Sequence, residues 1–174
     1  MFLEYNNVVS AKKGCVFIDM AALSDIYLQE ATEGDSRLLF EWVNDPVARR
    51  NAFQTAYIPY EKHMEWFHNI LNNHAVKQYI LYYKEIPVGQ VRLNIEDGIG
   101  LIDYSIAPDM RGQGFGVLAL NLIQEKAKKE ITEVIKLVGQ VKYENTASIK
   151  VFEHCGYVPR KEKEYIVFTL DLRQ

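Results

Sequence analysis

The chain has 174 residues, 48% hydrophobic and 25% charged, with 11 Tyr, 8 Phe and 2 Trp, which is the composition of one globular domain and excludes a disordered or fibrous chain. A formal net charge of -3, with no concentrated run of Lys and Arg, excludes a broad nucleic-acid footprint. Cys15 and Cys155 are too few for a disulfide framework or a zinc site, Met1-Phe2-Leu3-Glu4 lacks the basic start of a signal peptide, and no apolar run approaches membrane-spanning length, so a cytoplasmic protein with no membrane association and no metal is expected.

Residues 1–25 read as a lead-in broken by Lys12-Lys13-Gly14, followed by a single domain over 26–174. Tyr27 to Ala31 is a first strand. Asp35 caps a helix that places Leu38, Leu39, Trp42 and Val43 on one face, and Asn44-Asp45-Pro46 stops it. Met64, Phe67, Ile70 and Leu71 recur at helical spacing between Tyr60 and Asn72. Three apolar runs follow, Gln78 to Tyr83, Pro87 to Ile95 and Gly100 to Ala107, separated by Lys84-Glu85 and Asp97-Gly98, and read as an antiparallel meander. Leu120, Ile123, Ala127 and Ile131 mark the next helix, Val134 to Val141 a strand, and Ala147 to Cys155 a short helix. Tyr165 to Leu172 alternates as a last strand. His63, His68 and His154 have no carboxylate-rich pattern around them and are not read as metal ligands.

Between the third meander strand and its helix stands Arg111-Gly112-Gln113-Gly114-Phe115-Gly116. Alternate glycines let the backbone approach a ligand closely, and the helix that follows offers unpaired N–H groups and the positive end of its dipole. That arrangement suits a pyrophosphate. G-x-G-x-x-G counted from Gly112 lands on Val117, and no Lys-Ser/Thr pair follows, so neither the dinucleotide fingerprint nor the P-loop applies. A tight strand-to-helix turn without a ligand is the bland alternative.

The segment Ser105 to Gly116 resembles the signature of the GNAT superfamily of N-acetyltransferases, R/Q-x-x-G-x-G/A. Glu144 to Tyr157 resembles that superfamily's N-x-x-S/A-I-x-x-Y/F-E-x-x-G-F/Y element, and the likeness extends over about Ile26 to Leu172. It implies an α/β fold, a mostly antiparallel sheet splayed at the third and fourth main strands with helices on both faces, and acetyl-coenzyme A as acetyl donor. It also implies that backbone groups at Ile106 and Ala107 hold the pantetheine arm. Arg111, Gly112, Gln113, Gly114, Phe115, Gly116 and Val117 would surround the phosphates, with Asn145, Ser148 and Phe152 approaching from the other side.

A finer likeness runs from Trp42 to Phe53 and from Ile58 to Phe67, and is similar to the pseudaminic-acid-pathway acetyltransferases, which act on nucleotide-linked amino sugars. It implies an acceptor site at Asn44, Arg49, Arg50, Asn51, Phe53 and Arg92, where guanidinium groups match a sugar diphosphate. Ribosomal-protein N-terminal acetyltransferases share parts of this element, so a peptide N-terminus is the alternative acceptor, and a non-catalytic coenzyme A-binding module is a second alternative. A homodimer is allowed. Three catalytic positions of relatives do not carry over: the Tyr acid falls at Phe152, and the two Glu bases at Gln140 and Gly100. Tyr104 remains as the candidate catalytic donor to the departing thiolate, in a direct transfer with no covalent enzyme intermediate.

Overall fold

Alternating apolar residues build one seven-stranded sheet in the order β1-β2-β3-β4-β5-β7-β6. The strands are β1 Ile26–Glu30, β2 Val76–Tyr83, β3 Ile86–Glu96, β4 Ile99–Ile106, β5 Lys136–Lys142, β6 Val158–Lys161 and β7 Tyr165–Asp171. The helices are α1 Ser36–Val43, α2 Pro46–Asn51, α3 Tyr60–Leu71, α4 Phe115–Glu130 and α5 Thr146–His154. This computed structural model describes residues 25–173. All but the last residue of the lead-in expected over 1–25, Cys15 included, lies outside the described residues, as does Gln174.

β2 to β4 form the three-stranded meander expected from the sequence, and β1 pairs along the edge of β2, every pair antiparallel. Asp97 and Gly98, with φ of 49° and 76°, supply the two positive-φ positions that a tight β3–β4 hairpin needs. β4 and β5 are the one parallel pair. Two layers of helices cover the sheet. On one face Leu39, Trp42, Phe67 and Ile70 from α1 and α3 bury Ile80 of β2. On the other, Phe115, Ala119, Leu120, Ile123 and Ala127 of α4 and Phe152 of α5 cover Val91, Leu93, Ile102 and Phe168.

The pairing of β4 with β5 runs only from Ile99↔Lys136 to Ile102↔Gly139. Beyond it β4 continues to Ile106 without a β5 partner, while β5 continues along β7 to Lys142↔Tyr165. The sheet therefore opens into a V whose apex lies after Ile102 and whose mouth faces the glycine loop.

Three local expectations are corrected. Asp35 does not cap α1 through its side chain; its carboxylate turns back to Thr32 N and Oγ1, at 2.8 and 2.9 Å, because a 3-10 turn precedes the helix. Pro46 does not merely stop α1. It opens α2 as its first residue, with the Asp45 carboxylate accepting from Val47 N and Ala48 N, both at 3.0 Å, the pairing of cap and Pro that helix starts favour. The strand β6, with all four residues exposed, has no apolar alternation and was not expected.

Candidate active site

The free edge of β4 and the loop after it make the first half of the site. Ala107 N–H donates to Val88 O at 2.9 Å, so strand alternation turns the polar groups of Ile106 to the opposite edge, into the splay. There Ile106 O accepts from Arg111 Nε at 3.1 Å. Gly112 and Gly114 hold φ of 74° and 86°, left-handed values that other residues adopt at a cost. A Cβ built at either meets nothing within 4 Å; the space in front of the loop is open. Helix α4 begins at Phe115 and points its N-terminus there. Val117 N–H already bonds Gly114 O at 3.0 Å, which leaves the donors before it for an anion. The loop therefore presents free N–H donors and open space to an anion.

On the α4–α5 side of the splay, Tyr104 donates its hydroxyl to Ser148 Oγ at 3.0 Å. Asn145 caps α5 by accepting from Ser148 N at 3.2 Å and donates Nδ2 to the same Oγ at 3.1 Å. With both lone pairs of Ser148 Oγ engaged, its own proton is free to point elsewhere. Burial pushes the Tyr104 phenol up to about 12, against a smaller opposite pull from Ser148, so it stays a neutral donor. Phe152, at 2% exposure, packs against Gly139 so closely that a methyl there would stand 2.5 Å from Cε1 and 3.0 Å from Cε2. Gly100 is tight as well, though less so, with Leu137 Cδ2 and Val134 Cγ1 at 3.0 and 3.1 Å from a built Cβ. Burial pushes the Cys155 thiol up to about 11, away from nucleophile chemistry.

The second half of the site lies on the other face, and one cavity of about 750 Å³ joins the two, a size typical of small-molecule sites. Arg49, Lys62 and Arg92 line it with a single carboxylate, Asp103. Arg92 stacks over Trp66 at 5.0 Å and approaches Asp103 Oδ2 at 3.5 Å. Arg49 donates Nη1 to Gln54 O and Ala56 O, at 3.2 and 3.4 Å. Burial lowers the Arg49 pKa, which nearby Asp103 partly restores. The Nε atoms of Arg49 and Arg92 are both buried without a hydrogen-bond partner.

Of the acceptor residues expected from the sequence, Arg49, Asn51, Phe53 and Arg92 line this cavity. Asn44 instead clasps the loop before α3, donating to Ile58 O at 3.0 Å and accepting from Ile58 N at 2.9 Å. Arg50 is exposed, and it is its carbonyl that Lys142 Nζ reaches at 3.2 Å. On the coenzyme side, Tyr104, Ile106, Arg111, Gly112, Gly114 and Phe115 line the cavity, as do Gly116, Val117, Asn145, Ser148 and Phe152. Both backbone groups of Ala107 are engaged, N–H by Val88 and C=O by Met110, and Gln113 bonds Asp109 O at 3.1 Å.

Sequence reading missed Asp45, Gln78, Gln90 and Asp103. Asp45 bonds Arg111 Nη2 at 2.5 Å and so ties the start of α2 to the coenzyme loop. Burial pushes its carboxyl pKa up, but Arg111 and the α2 N–H groups outweigh that and hold it below the usual range. Among the described residues no group of three or more His, Cys, Asp or Glu is placed to hold a metal, and no helix is long and apolar enough to cross a membrane.

A splayed sheet with a backbone-lined anion loop at its mouth and one cavity running across its apex is the frame of an acetyl-coenzyme A-dependent N-acetyltransferase. Residues 25–158 match the family model described as acetyltransferase (GNAT) domain, and the chain belongs to that family. The same fold appears in a spermidine N-acetyltransferase from Vibrio cholerae bound to CoA and spermine, at 18% identity and a TM-score of 0.78, covering 86% of this chain and 97% of that one. A ribosomal L7/L12 α-N-protein acetyltransferase bound to coenzyme A matches at 14% identity and a TM-score of 0.74, with 85% and 94% covered. The aminoglycoside acetyltransferase AAC(6')-Ib, bound to ribostamycin and coenzyme A, matches at 18% identity and a TM-score of 0.75, with 84% and 93% covered. No curated protein matches the chain by sequence.

Proposed function

We propose that this acetyltransferase acts on the amine of an anionic acceptor, a nucleotide-linked amino sugar of the pseudaminic-acid type. The observation that carries this reading is the charge of the cavity, which Arg49, Lys62 and Arg92 line against one carboxylate, Asp103. A diphosphate supplies oxygens in the geometry that guanidinium groups favour. Spermine and ribostamycin, bound by two proteins of the same fold, are polycations, and Arg49, Lys62 and Arg92 against one Asp103 repel a polycation. A peptide N-terminus finds the same deficit of negative charge.

In this reading the loop from Gly112 holds the coenzyme phosphates and the free edge of β4 aligns the pantetheine arm. Coenzyme A supplies the acetyl group as a thioester. Tyr104, neutral throughout the physiological range, supplies the proton for the departing sulfur in line with Ser148. Orientation of amine and thioester across the apex supplies much of the acceleration.

The test is a competition assay offering a UDP-linked 4-amino-4,6-dideoxy sugar against spermidine, peptides with free N-termini and peptides with internal lysines. Two charge-assisted hydrogen bonds at about 1.5–3 kcal/mol each predict a kcat/KM preference for the sugar of roughly 100-fold or more. Preferential acetylation of spermidine or a peptide rejects the anionic acceptor and leaves acetyl transfer intact.

A further inference from the structure

Gln78, Arg92 and Asp103 stand in one cross-strand row over β2, β3 and β4, and Gln90 and Ser105 stand in the next. Gln78 and Gln90 are buried at 7% and 8% exposure, amid strand residues that are otherwise mostly apolar. Buried amides persist only with partners in place, and here the partners run in one direction. Asp103 as a carboxylate only accepts. Gln90 therefore turns Nε2 to Asp103 Oδ1 at 2.9 Å and Oε1 to Gln78, whose Nε2 donates at 2.8 Å. The carboxylate orients both amides, and the amides in return hold one of its oxygens. The other oxygen is 3.5 Å from Arg92 Nη2, too far for a strong bond. With 54% of the side chain exposed into the cavity, that oxygen is open to a ligand.

Asp103 is also the first residue of β4 past the last β4–β5 pair, Ile102↔Gly139, and thus stands at the apex of the V. Tyr104 follows it, and consecutive strand residues point to opposite faces. Tyr104 meets Ser148 on the α4–α5 face, whereas Asp103 meets Arg92 on the face of the acceptor cavity. A donor held by its phosphates at the glycine loop and laid along the free edge from Ile106 to Asp103 ends between these two side chains.

We infer that Asp103 is the catalytic group that takes the proton from the attacking amine, and that Gln90 is the positioning residue that holds it. The inference rests on the acetyl-transfer reading of the splay and not on which amine is the acceptor. The amine nitrogen bonds to the acetyl carbonyl carbon and the carbon–sulfur bond breaks. One nitrogen-bound proton passes to the free oxygen of Asp103, and the sulfur gains one from the Tyr104–Ser148 pair. Net, one proton moves from amine to thiol. The charged and titratable groups facing Asp103 are Arg92 of β3, Arg49 of α2 and Lys62 of α3, with His63 of α3 lining the same cavity.

The experiment compares the parent chain with Asp103→Asn, Gln90→Met and the double variant, following thiol release with the UDP-linked amino sugar and, separately, with spermidine. Asp103→Asn should lower kcat about 100-fold or more on whichever amine the parent acetylates and leave coenzyme A affinity within twofold by calorimetry. Gln90→Met should lower kcat about tenfold with acceptor KM little changed, and should lower it no further in the Asp103→Asn chain. Turnover of Asp103→Asn within threefold of the parent overturns the role of Asp103; an unchanged kcat in Gln90→Met, or a full tenfold loss on top of that of Asp103→Asn, overturns the positioning role. If spermidine is the better acceptor, the anionic-acceptor proposal fails, while the ratio of variant to parent still decides on Asp103.

Discussion

Replacing Gly139 by Ala places a methyl where Phe152 already sits. The built Cβ falls 2.5 Å from Cε1 and 3.0 Å from Cε2, and closer still to Cζ, against an ordinary carbon contact of about 3.5–4.0 Å. The ring must retreat by about 1 Å or more. It has nowhere to go: Phe168 stacks on it at 5.1 Å, and Tyr157 and Tyr104 meet it edge-on at 4.9 and 5.9 Å. Overpacking of this kind costs about 1–3 kcal/mol, which in a chain of this length, at about 2–4 °C per kcal/mol, lowers Tm by roughly 2–12 °C. Because the ring also backs Tyr104, turnover should fall with coenzyme A affinity nearly unchanged. The assay is thermal unfolding by circular dichroism beside steady-state thiol release. Adding Phe152→Leu to the Gly139→Ala chain should recover part of the lost Tm, so that the double variant is less unstable than the sum of the singles. A Gly139→Ala protein with the parent's Tm would refute the packing argument.

Tyr104→Phe should cost about 1 kcal/mol of stability through its lost bond to Ser148 and lower kcat by about 100-fold, with coenzyme A affinity held; unchanged turnover returns Tyr104 to the core. Asp45→Asn keeps an acceptor for Val47 N and Ala48 N but breaks the ion pair to Arg111, so acceptor KM should rise severalfold with kcat nearly constant. Equal KM values would mean that α2 is placed without that pair. Burial pushes the pKa of His63 below its ordinary value of 6.5, against the hydrogen bond to Ser36 O. The unfolded chain then takes up a proton first as pH falls, so stability is full above about 6.5 and lost progressively below it. His63→Gln should flatten this slope in Tm against pH, and an unaltered slope would assign it to other groups.

The helices α3 and α4 were legible because their apolar residues repeat at helical spacing, and the meander because its turns are marked by Lys84-Glu85 and Asp97-Gly98. The glycine loop was legible for the same local reason: three alternate glycines between a strand and a helix. What escaped was built across the chain. α2 has six residues and none fully buried, so it has no apolar stripe to read, and its Asp-Pro start resembles a stop. β6 is exposed along its length and carries Pro159, a pattern of edge strands that single-sequence alternation does not register. Gln78, Gln90 and Asp103 lie on three strands, and only the register Gln78↔Arg92↔Asp103 reveals that they meet. The one local hint was Gln78 at the head of an apolar run and Gln90 between the apolar Val88 and Val91. The carboxylate that seemed missing at Gln140 and Gly100 is thus present in the cleft as Asp103, at a position that family spacing does not point to.

The claim on which the rest depends is that the splay and its glycine loop hold acetyl-coenzyme A through backbone groups, and calorimetric titration of Gly114→Glu tests it most directly. The open space at Gly114 admits the side chain, at a strain of about 1–2 kcal/mol for a φ of 86°, and circular dichroism confirms folding. The new carboxylate then stands in the phosphate site with the wrong charge. Binding of acetyl-coenzyme A by the parent, with at least a 100-fold loss in the folded variant, is the predicted result; equal affinity in the two proteins would contradict the account.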